Sequence, residues 1–420
     1  MNLYFTGHQE KYAVEQTMLT LFPQERPVYP DPAVTPPGGD NALELQFTRR
    51  PSWCTARAVL RREGKVYTRM CRVRTAALPA DDPVVATRLT RRTLQRAFYL
   101  AAIDCLGKEP PWGMLSGVRP VKLPTRAMEE GSTPRQAEAM LKHYHVSPVR
   151  RQLAMDCAQA SLAVKRSLQP EEISLYVGIP FCPTRCAYCS FISASGSANR
   201  LIPAYLDALF GEIDAAGEAA RRAGKTVRTV YIGGGTPTTL APDQLKALLD
   251  RLHTAFDLAP GTEFTVEAGR PDTITREKLE AIRDGGGNRI SVNPQTMSDL
   301  VLETIGRSHR AEDIRQAYAL AREVRVGAIN MDLIAGLPAD TPAGFAATLD
   351  EVIGMDPENI TVHTLALKKG ARLRQENVPL PSGEDVARML DFAWSALRAA
   401  GYRPYYLYRQ KFMSGSFENV

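Results

Sequence analysis

Three cysteines lie within eight positions of this 420-residue sequence, in the segment "FCPTRCAYC" that ends at Cys189. Cys182, Cys186 and Cys189 have the spacing Cys-x3-Cys-x2-Cys, and no further Cys or His lies nearby in the sequence. Closed structural zinc sites use four ligands, commonly as two spaced pairs of cysteines. Three thiolates on a four-iron cluster would instead leave one iron free to bind a small molecule. The spacing therefore favours an iron–sulfur cluster with one open corner over a zinc ion completed by a distant residue.

A second unusual segment is the glycine run "GGGTPT" at 233–238. Glycines let a backbone approach a ligand closely and adopt positive φ, so that successive N–H and C=O groups can face it. The run is not a phosphate-binding P-loop, because no Lys-Ser or Lys-Thr follows the glycines. Taken alone, it is explained equally well by a tight turn between a strand and a helix.

Both segments lie in a regular alternation of strand-like and helical patterns. Six β-then-α units in succession predict a parallel sheet with right-handed crossovers. The strand-like runs are apolar nearly throughout, as expected for strands that are covered on both faces. Because six units are too few for the eightfold barrel, the predicted fold class is α/β, a partial open (β/α)6 barrel. The predicted strands are 173–179, 227–233, 263–268, 288–293, 327–335 and 359–367, and the predicted helices are 200–223, 241–256, 275–284, 311–324 and 342–354.

Three regions are predicted along the chain: an N-terminal α+β accessory domain at 1–170, the partial barrel at 171–370, and a C-terminal helix and tail at 371–420. The N-terminal region contains a Pro- and Gly-rich loop at 24–41. Its other predicted elements are a strand at 43–47, a hairpin at 53–74 that turns at Glu63-Gly64-Lys65, and helices at 84–106, 133–143 and 148–168. The last region is predicted to hold a helix at 383–400, and we expect that a substrate-facing element is missing after the final "ENV".

The composition is that of a soluble globular protein, 44% hydrophobic and 23% charged. No apolar run approaches the roughly 18–20 residues that a membrane span needs, and the first residues lack the pattern of a secretory signal. Seven cysteines, three of them clustered, favour thiolate ligands in a reducing cytoplasm over disulfides. The net charge of +6 suits anionic small molecules or an acidic redox partner and only weakly suggests nucleic acid. The remaining cysteines are expected to be small buried side chains: Cys54, Cys71, Cys105 and Cys157.

In a parallel β/α barrel the functional site lies at the carboxyl ends of the strands. Here those ends carry, in order, the cysteine triplet, the glycine run, Glu267, Asn293 with Gln295, Asp332 and His363. Simple structural roles are also open for some of them. Arg307 and Asp332 could form an ion pair at the barrel rim, and Glu267 could cap the following helix. His363 is interpreted as a packed strand residue and is left out of the candidate site.

In combination these motifs resemble the radical S-adenosylmethionine (SAM) superfamily, with Tyr188 before the last cysteine and Gly-Gly-Gly-Thr-Pro after the second strand. Within it, "YVGIPFCPTRCAYCSF", "YIGGGTPT", "NPQT", "IGRSH" and "NMDLIAGLP" resemble the oxygen-independent coproporphyrinogen III oxidase-like branch. The long N-terminal extension and the tail "YYLYRQK" are most similar to members of the coproporphyrinogen dehydrogenase type. The resemblance covers about 171–420, and the N-terminal region is matched only loosely.

The resemblance implies two cofactors, a [4Fe-4S] cluster on the three cysteines and SAM, whose amino and carboxylate groups would bind the open iron. It also implies roles for individual residues around SAM. Gly233, Gly234 and Gly235 would meet the methionine amino group, Thr236 would shape the turn, Arg307 would bind the carboxylate, Glu267 would bind ribose hydroxyls, Gln295 and Asp332 would bind ribose or nearby groups, and Tyr188 and Ile334 would contact adenine. A cation suits a carboxylate, and carboxylates suit paired hydroxyls.

The function implied by the resemblance is oxygen-independent oxidative decarboxylation of coproporphyrinogen III propionates to vinyls, which gives protoporphyrinogen IX. One electron would cleave SAM to methionine and a 5′-deoxyadenosyl radical, which would take a hydrogen atom from the tetrapyrrole substrate. Flavodoxin or ferredoxin would supply the electron. Candidates for binding the substrate propionates, by charge only, are Arg119, Arg409 and Lys411.

Two positions depart from the decarboxylating oxidases of this branch, which have a His at Gly178 and commonly a further Cys within Ser190-Phe191. These departures favour relatives that act as haem chaperones or in haem breakdown, so a haem chaperone is the first alternative. The second alternative is a radical SAM enzyme that modifies RNA, because a basic ribbon can track phosphates. A solvated charged face explains the arginines of the hairpin better: Arg57, Arg61, Arg62, Arg69, Arg72 and Arg74.

Overall fold

A computed structural model of the chain describes residues 1–31, 38–115, 119–191, 193–368, 370–409 and 417–420. The described chain divides into two compact units, Met1–Ala158 and Gln159–Val420. The division falls inside the helix Pro148–Ser167. The domain limits at 170 and 370 stay predictions.

The first unit combines a small sheet with helices. Its strands are β1 (Asn2–Thr6), β2 (Ala42–Arg49), β3 (Trp53–Arg62) and β4 (Lys65–Arg74), and its helices are α1 (Lys11–Leu21), α2 (Pro83–Leu106), α3 (Lys122–Glu129) and α4 (Pro134–His143), followed by α5 (Pro148–Ser167), which crosses the division. The described strands have the order β1-β2-β3-β4, in which β1 and β2 are parallel and the other pairs are antiparallel. Helix α2 packs on β3 and β4 and buries Leu94 and Phe98 completely. This unit confirms the predicted N-terminal α+β architecture.

Four of the six arginines of the β3–β4 hairpin contact carboxylates or an aromatic ring within the first unit. Three of its arginines contact carboxylates: Arg61 with Glu44 at 3.0 Å, Arg62 with Glu25 at 3.0 Å, and Arg69 with Asp104 at 2.5 Å. The Arg74 guanidinium lies 5.6 Å from the centre of the Trp53 ring. Guanidinium groups that already pair with carboxylates are poorly suited to track phosphates. The structure therefore favours the interpretation of the hairpin as a solvated charged face.

The second unit is a parallel sheet with helices packed on it. Its strands are β5 (Glu172–Ile179), β6 (Phe181–Cys182), β7 (Ala194–Ser195), β8 (Thr226–Gly234), β9 (Glu263–Glu267), β10 (Arg289–Ser291), β11 (Ala328–Ala335), β12 (Asn359–Thr364), β13 (Tyr408–Arg409) and β14 (Glu418–Asn419). Its helices are α6 (Ile202–Arg222), α7 (Pro242–Phe256), α8 (Arg276–Asp284), α9 (Asp299–Thr304), α10 (Ala311–Val324), α11 (Pro342–Gly354), α12 (Arg372–Gln375) and α13 (Gly383–Ala399).

In the part of this unit that the structure describes, six strands pair in the order β12-β11-β10-β9-β8-β5, and all the pairs are parallel. Each new strand is added beside the previous one, as successive right-handed crossovers require. Strands β5 and β12 stand at opposite ends of this order, so the described sheet does not close on itself. The structure confirms the predicted partial, open (β/α)6 fold.

The two faces of the sheet differ in chemistry. Along β11, Ile329, Met331 and Leu333 are almost fully buried in the main hydrophobic cluster of the second unit. The alternating residues Asn330 and Asp332 line an internal cavity instead. Because successive side chains of a strand point to opposite faces, one face packs against helices and the other is polar. The expectation of strands that are apolar nearly throughout is therefore wrong for the inner face.

The helices cover the outer face with regularly spaced leucines. In α7, Leu245, Leu248, Leu249 and Leu252 follow the i, i+3, i+4, i+7 spacing of one helix face, and all four are buried. Residues of this helix cover Phe264 of β9, which is itself buried. The apolar core of the unit thus lies between sheet and helices, and the interior of the open barrel stays available for polar groups.

The segment 417–420 lies along the free edge of β12. Val362 and Val420 exchange two backbone hydrogen bonds, of 2.7 and 3.0 Å. The Thr364 amide donates to Asn419 Oδ1 at 2.9 Å, and its hydroxyl donates to the Glu418 carbonyl at 2.7 Å. This segment therefore satisfies backbone groups that an edge strand would otherwise leave to solvent.

The predicted strands and helices of the second unit agree with the structure to within a few residues at each end. The prediction missed β1 and α1 in the first unit, which lie at 2–6 and 11–21. Within the described residues, no helix has the combination of length and hydropathy needed to cross a membrane.

Two glycines of α6 offer a matched test of this packing. A Cβ at Gly217 would lie 2.4 Å from the Ala255 carbonyl oxygen of α7, whereas a Cβ at Gly211 would meet nothing within 4 Å. We expect Gly217→Ala to lower the free energy of unfolding by about 1–3 kcal/mol, because the helices must move apart. Gly211→Ala should raise it by about 0.5–1 kcal/mol, because alanine favours the helix. Urea denaturation of both variants provides the measurement, and equal effects would contradict the close approach of α6 and α7.

Candidate functional site

The three cysteines lie on the loop that follows β5, with Cys182 in the short strand β6. Backbone hydrogen bonds hold this loop at several points. The Ala187 amide donates to the Ile305 carbonyl at 2.9 Å, and the Leu373 amide donates to the Ala187 carbonyl at 3.0 Å. The three cysteine side chains are half-buried and line one cavity. The structure thus brings the predicted triplet together on one wall of that cavity.

Two polar side chains contact the sulfurs. The Thr236 hydroxyl donates to Cys182 Sγ at 3.6 Å, and the Arg270 guanidinium donates to Cys186 Sγ at 3.8 Å. Burial raises the pKa of the Cys189 thiol, and the Phe191 amide opposes that shift. In the described part of the chain, no three His, Cys, Asp or Glu side chains converge on a single metal-ion position. A four-iron cluster does not require such convergence, because each thiolate binds a different iron.

The glycine run brings the ends of β5 and β8 close together. The Gly235 amide donates to the Ile179 carbonyl at 2.8 Å, and the Thr236 amide donates to the Phe181 carbonyl at 2.7 Å. A Cβ at Gly235 would lie 2.5 Å from the Phe181 oxygen, and Gly234 has a φ of 111°. Larger residues cannot adopt this arrangement without strain. The tight turn expected from the sequence is therefore present, and it brings two backbone segments into close contact.

Glu267 lies at the end of β9 and accepts a hydrogen bond of 2.5 Å from the Tyr231 hydroxyl. Burial raises the pKa of Glu267, the Tyr231 hydrogen bond opposes the shift, and the nearby Asp332 carboxylate adds to it. The helix that follows, α8, is capped by the Thr275 hydroxyl. The structural role that the sequence left open for Glu267, capping that helix, is therefore filled by another residue.

Arg307 is buried, 9% exposed, and lies against Tyr188. Its Nη2 donates to the Tyr188 hydroxyl at 2.9 Å, and its Nη1 donates to the Gly269 carbonyl at 3.3 Å. Among the residues that the structure describes, its Nε has no hydrogen-bond partner. No carboxylate within the same residues forms a salt bridge with it, so the simple ion pair with Asp332 is not observed.

Asp332 pairs instead with His363 on the neighbouring strand β12. His363 Nε2 lies 3.7 Å from Asp332 Oδ2, and the side-chain amide of Asn330 donates to Asp332 Oδ1 at 2.7 Å. Burial by itself raises the pKa of Asp332, but His363, Asn330 and Thr361 outweigh it and lower that pKa. Burial lowers the pKa of His363, and Asp332 outweighs burial, so the His363 pKa is raised. His363 also lines the cavity, so the structure places it beside the predicted site residues, although the sequence interpretation left it out of the candidate site.

Gln295 and Ile334 complete the same end of the sheet. Gln295 has a φ of 68°, and its amide donates to the Asp332 carbonyl at 2.9 Å. The Ile334 amide in turn donates to the Gln295 carbonyl at 3.0 Å. Both side chains are buried at the cavity wall, 6% exposed each. These hydrogen bonds fix the backbone of both residues, and their side chains line the cavity.

The cavity encloses about 630 Å³ along the inner face of the sheet. It is lined by the predicted residues Tyr188, Gly234, Gly235, Thr236, Glu267, Gln295, Arg307, Asp332 and Ile334 together with the three cysteines. It also reaches Glu263, Arg289 and Asn359 at the amino ends of their strands. The cavity therefore extends to the amino ends of β9, β10 and β12 and is not confined to the carboxyl ends of the strands.

Of the cations chosen by charge for the propionates, Arg409 does not line this cavity. Arg409 is 6% exposed, and burial lowers its pKa to about 10, with Glu418 opposing the shift. Arg119 is exposed in the first unit, and Lys411 lies outside the described residues. The lining instead includes Arg185, Arg289 and Lys368. Strand alternation with Ser291 could have identified Arg289 as inward-facing from the sequence.

Comparison with known proteins identifies the chain. Residues 176–352, which extend from β5 into α11, match the family described as the radical SAM superfamily. This chain is a radical SAM protein. Over 317 residues it is 38% identical to the oxygen-independent coproporphyrinogen-III oxidase-like protein HemZ of Bacillus subtilis, an alignment that covers 74% of this chain and 63% of that protein.

Two further relatives place this radical SAM protein within the superfamily. The heme chaperone HemW of Bacillus subtilis is 33% identical over 237 residues, which are 55% of this chain and 62% of HemW. The solved structure of coproporphyrinogen III oxidase (HemN) from Escherichia coli superposes with a TM-score of 0.52 at 31% identity and covers 58% of this chain and 56% of that chain. The alignments thus span less than two thirds of the relatives' own lengths. The chain belongs to the oxygen-independent coproporphyrinogen III oxidase-like branch, whose cofactors are a [4Fe-4S] cluster and SAM.

The residues present fit these two cofactors. Three sulfurs line the cavity, and no fourth ligand joins them among the described residues, which is the donor set that leaves one iron open. Within the described chain, Arg307 Nε, Ser291 Oγ and Asn293 Oδ1 are buried and lack hydrogen-bond partners, and all three residues line this cavity. Buried polar atoms of proteins are normally satisfied, so these atoms indicate a polar ligand beside the cysteines.

The cysteine triplet makes a direct prediction. Replacing any one of Cys182, Cys186 or Cys189 with alanine should remove most of the bound iron and the visible absorbance of the anaerobically reconstituted protein, because each thiolate holds a separate iron. Cys71→Ala, in the hairpin of the first unit, is the control and should retain both. A variant of the triplet that keeps the full iron content would contradict this assignment.

The pair of Asp332 and His363 predicts a pH dependence of stability. The His363 pKa is raised in the fold, so its contribution is complete below the unfolded value of about 6.5 and is lost as the pH rises through the folded value. The Asp332 pKa is lowered, so its contribution is lost as the pH falls through the folded value. The difference in unfolding free energy between wild type and His363→Gln should therefore be largest between about pH 4 and 6.5.

Denaturant titrations over this pH range measure that difference. In an Asp332→Asn background, the effect of His363→Gln on the unfolding free energy should no longer decrease towards alkaline pH, because the charge that pairs with His363 is absent. A difference that stays constant from mildly acidic to alkaline pH in the wild-type background would show that the two groups do not form an ion pair.

Proposed function

We propose that this protein binds a [4Fe-4S] cluster through Cys182, Cys186 and Cys189 and uses SAM to oxidise a tetrapyrrole. The observation that carries the proposal is the placement of three thiols, with no fourth ligand among the described residues, at the wall of a cavity of about 630 Å³. When bound, the two cofactors supply a 5′-deoxyadenosyl radical that can take a hydrogen atom from a substrate. The protein's part is to bind, to orient and to exclude water and oxygen.

The SAM contacts follow from the chemistry of the lining. Arg307 is a buried cation without a carboxylate partner in the described chain, so it binds the SAM carboxylate. The backbone carbonyls of the glycine run are offered to the amino group by Gly234 and Gly235, which line the cavity, whereas Gly233 is buried behind them. Glu267 and Asp332 accept from ribose hydroxyls, with Gln295 beside them, and Ile334 and Tyr188 flank the adenine. Thr236 holds the turn through its bond to the Phe181 carbonyl.

The proposed substrate is coproporphyrinogen III, and the proposed product is protoporphyrinogen IX. Two of the four propionates become vinyl groups; at each of them CO2 is lost, a hydrogen atom passes to the deoxyadenosyl group, and one electron passes to an acceptor. Arg185, Arg289 and Lys368 line the cavity and can bind propionates. Tyr176 stacks on Tyr231 with ring centres 5.9 Å apart, which provides an aromatic wall for a flat macrocycle.

A reduced flavodoxin or ferredoxin is the proposed electron donor, in a reducing cytoplasm. The net charge of +6 suits the acidic surface that such a partner would present. Arg185 is an exposed cation inside the cysteine loop, between Cys182 and Cys186. It is therefore the natural first contact for an acidic donor near the cluster.

A second candidate function is a haem chaperone that binds the cluster and haem without modifying haem. Two observations favour it: the similarity to heme chaperones and Gly178 at the end of β5, where the decarboxylating oxidases carry a His. The nearest atom to a Cβ at Gly178 is Tyr176 Cε1 at 3.7 Å, so the position has room for a side chain that this chain lacks.

The test is anaerobic turnover of the reconstituted protein with SAM, dithionite and coproporphyrinogen III, followed by mass spectrometry. We expect 5′-deoxyadenosine together with mono- and divinyl products. Deoxyadenosine without vinyl products would remove the named reaction and leave SAM cleavage standing. Tight haem binding without substrate-dependent deoxyadenosine would support the chaperone.

Arg307→Gln tests the carboxylate contact in the same assay. Loss of a charge-assisted contact should raise the KM for SAM about 10- to 100-fold, because such contacts contribute roughly 1.5–3 kcal/mol. Arg315→Gln on the exposed face of α10 removes two surface ion pairs and serves as the control. A KM in Arg307→Gln equal to that of the control would remove Arg307 from the SAM site.

A further inference from the structure

Arg270 is a buried cation beside the cysteine loop that the SAM contacts do not use. It follows Gly269 in the loop after β9, and its side chain is only 4% exposed. A buried guanidinium has a large desolvation cost and is retained only where its donors are satisfied. The acceptors of its five N–H groups therefore indicate the role of Arg270.

One edge of the guanidinium is fixed by Asp272. Nε donates to Asp272 Oδ1 at 2.9 Å and Nη2 donates to Oδ2 at 2.8 Å, which is a bidentate pair. Nη2 also donates to the Ser308 hydroxyl at 3.1 Å, and that hydroxyl donates to Asp272 Oδ2 at 2.9 Å. The bidentate edge thus sets the orientation of the whole group.

The opposite side of the guanidinium faces the cysteine loop. Nη1 donates to Cys186 Sγ at 3.8 Å and to the Thr184 carbonyl at 3.4 Å, and Nη2 donates to Thr184 Oγ1 at 3.0 Å. The positive group therefore stands between the Asp272 carboxylate and the sulfur. Asp272 orients the cation, and the cation is what the sulfur contacts.

The neighbouring titratable groups do not neutralise the positive charge of Arg270. His309 is buried beside Asp272, with Nδ1 4.0 Å from Oδ1. Burial, with Arg307 adding to the effect, lowers the pKa of His309 to about 4, so its ring is neutral near pH 7. Arg307 is the other buried cation near Cys186, and its Nη2 is bonded to the Tyr188 hydroxyl. Arg270 is the one of the two that contacts the sulfur directly.

We propose that Arg270 is a positioning residue that raises the reduction potential of the cluster through its contact with Cys186. Reduction adds one negative charge to the cluster and its thiolates. A cationic donor at a ligating sulfur stabilises that added charge, and hydrogen bonds to sulfur are among the determinants of cluster potentials. The inference depends on cluster binding by the triplet and not on the identity of the substrate.

The test is a potentiometric titration of the anaerobically reconstituted full-length protein, monitored by the electron paramagnetic resonance signal of the reduced cluster. Arg270→Gln should lower the midpoint potential by about 59 mV. At the wild-type midpoint potential, the ratio of reduced to oxidised cluster should therefore fall about tenfold. Arg270→Lys keeps the charge but cannot bind Asp272 and the sulfur together, so its midpoint should lie between those of Arg270→Gln and wild type.

Arg228→Gln is the matched control, because Arg228 also pairs with a carboxylate, its Nη1 donating to both oxygens of Glu172, but near the amino end of β8. It should have the wild-type midpoint at equal iron content. An Arg270→Gln protein with full iron content and an unchanged midpoint would overturn the proposal. If that variant does not retain four irons per chain, the lysine variant decides: a lowered midpoint supports the proposal and an unchanged one overturns it.

Discussion

The site depends on the close approach of two backbone segments, the end of β5 and the turn after β8. The Gly235 and Thr236 amides donate to the Ile179 and Phe181 carbonyls, and a side chain at Gly235 would collide with the Phe181 oxygen. These bonds fix the first residues of the cysteine loop before any thiol binds a metal. The glycine run is thus a support for the loop as well as a surface for a ligand. Without it, Cys182 would not be held beside Thr236.

Charge in the site is organised by residues that come from distant parts of the chain. The segments 269–272 and 306–309 meet behind the cysteine loop and contribute Arg270, Asp272, Arg307 and His309. One guanidinium is compensated by a carboxylate, and the other has no carboxylate partner in the described chain. In a low-dielectric interior an uncompensated cation is costly. A bound carboxylate group would remove that cost, which is the physical basis of the proposed contact between Arg307 and the SAM carboxylate.

Much of this architecture follows from local sequence patterns. The strands of the second unit alternate with amphipathic helices, and their order needs only the right-handed crossover rule. The cysteine spacing indicated the carboxyl-end site because three closely spaced thiols have few other uses, whereas the glycine run alone was explained equally well by a tight turn. The inner face was harder to predict. In β11 the run "NMDLIA" is dominated by apolar residues, so the polar contribution of Asn330 and Asp332 is visible only when alternate positions are separated.

Other features could not be found from the sequence. Arg270 gives no local signal, because its partners Thr184 and Ser308 are 86 and 38 residues away. His363 was set aside because a lone His on a strand is usually packed, and its pairing depends on the register of β12 against β11. Arg409 was chosen for its charge, but the pairing of β13 with β14 buries it beside Glu418. The strand β1 was missed because its parallel pairing with β2 bridges a long connection.

The separation of the sheet into an apolar outer face and a polar inner face also bears on how such a scaffold diversifies. Inner positions such as Thr265, Ser291 and Thr361 border the cavity and do not belong to the main hydrophobic cluster of the second unit. Exchanging them leaves the hydrophobic layer that holds the fold together untouched. Substitutions inside the barrel can therefore change the ligand preference with little loss of folding stability. The interior can evolve while the hydrophobic core stays the same.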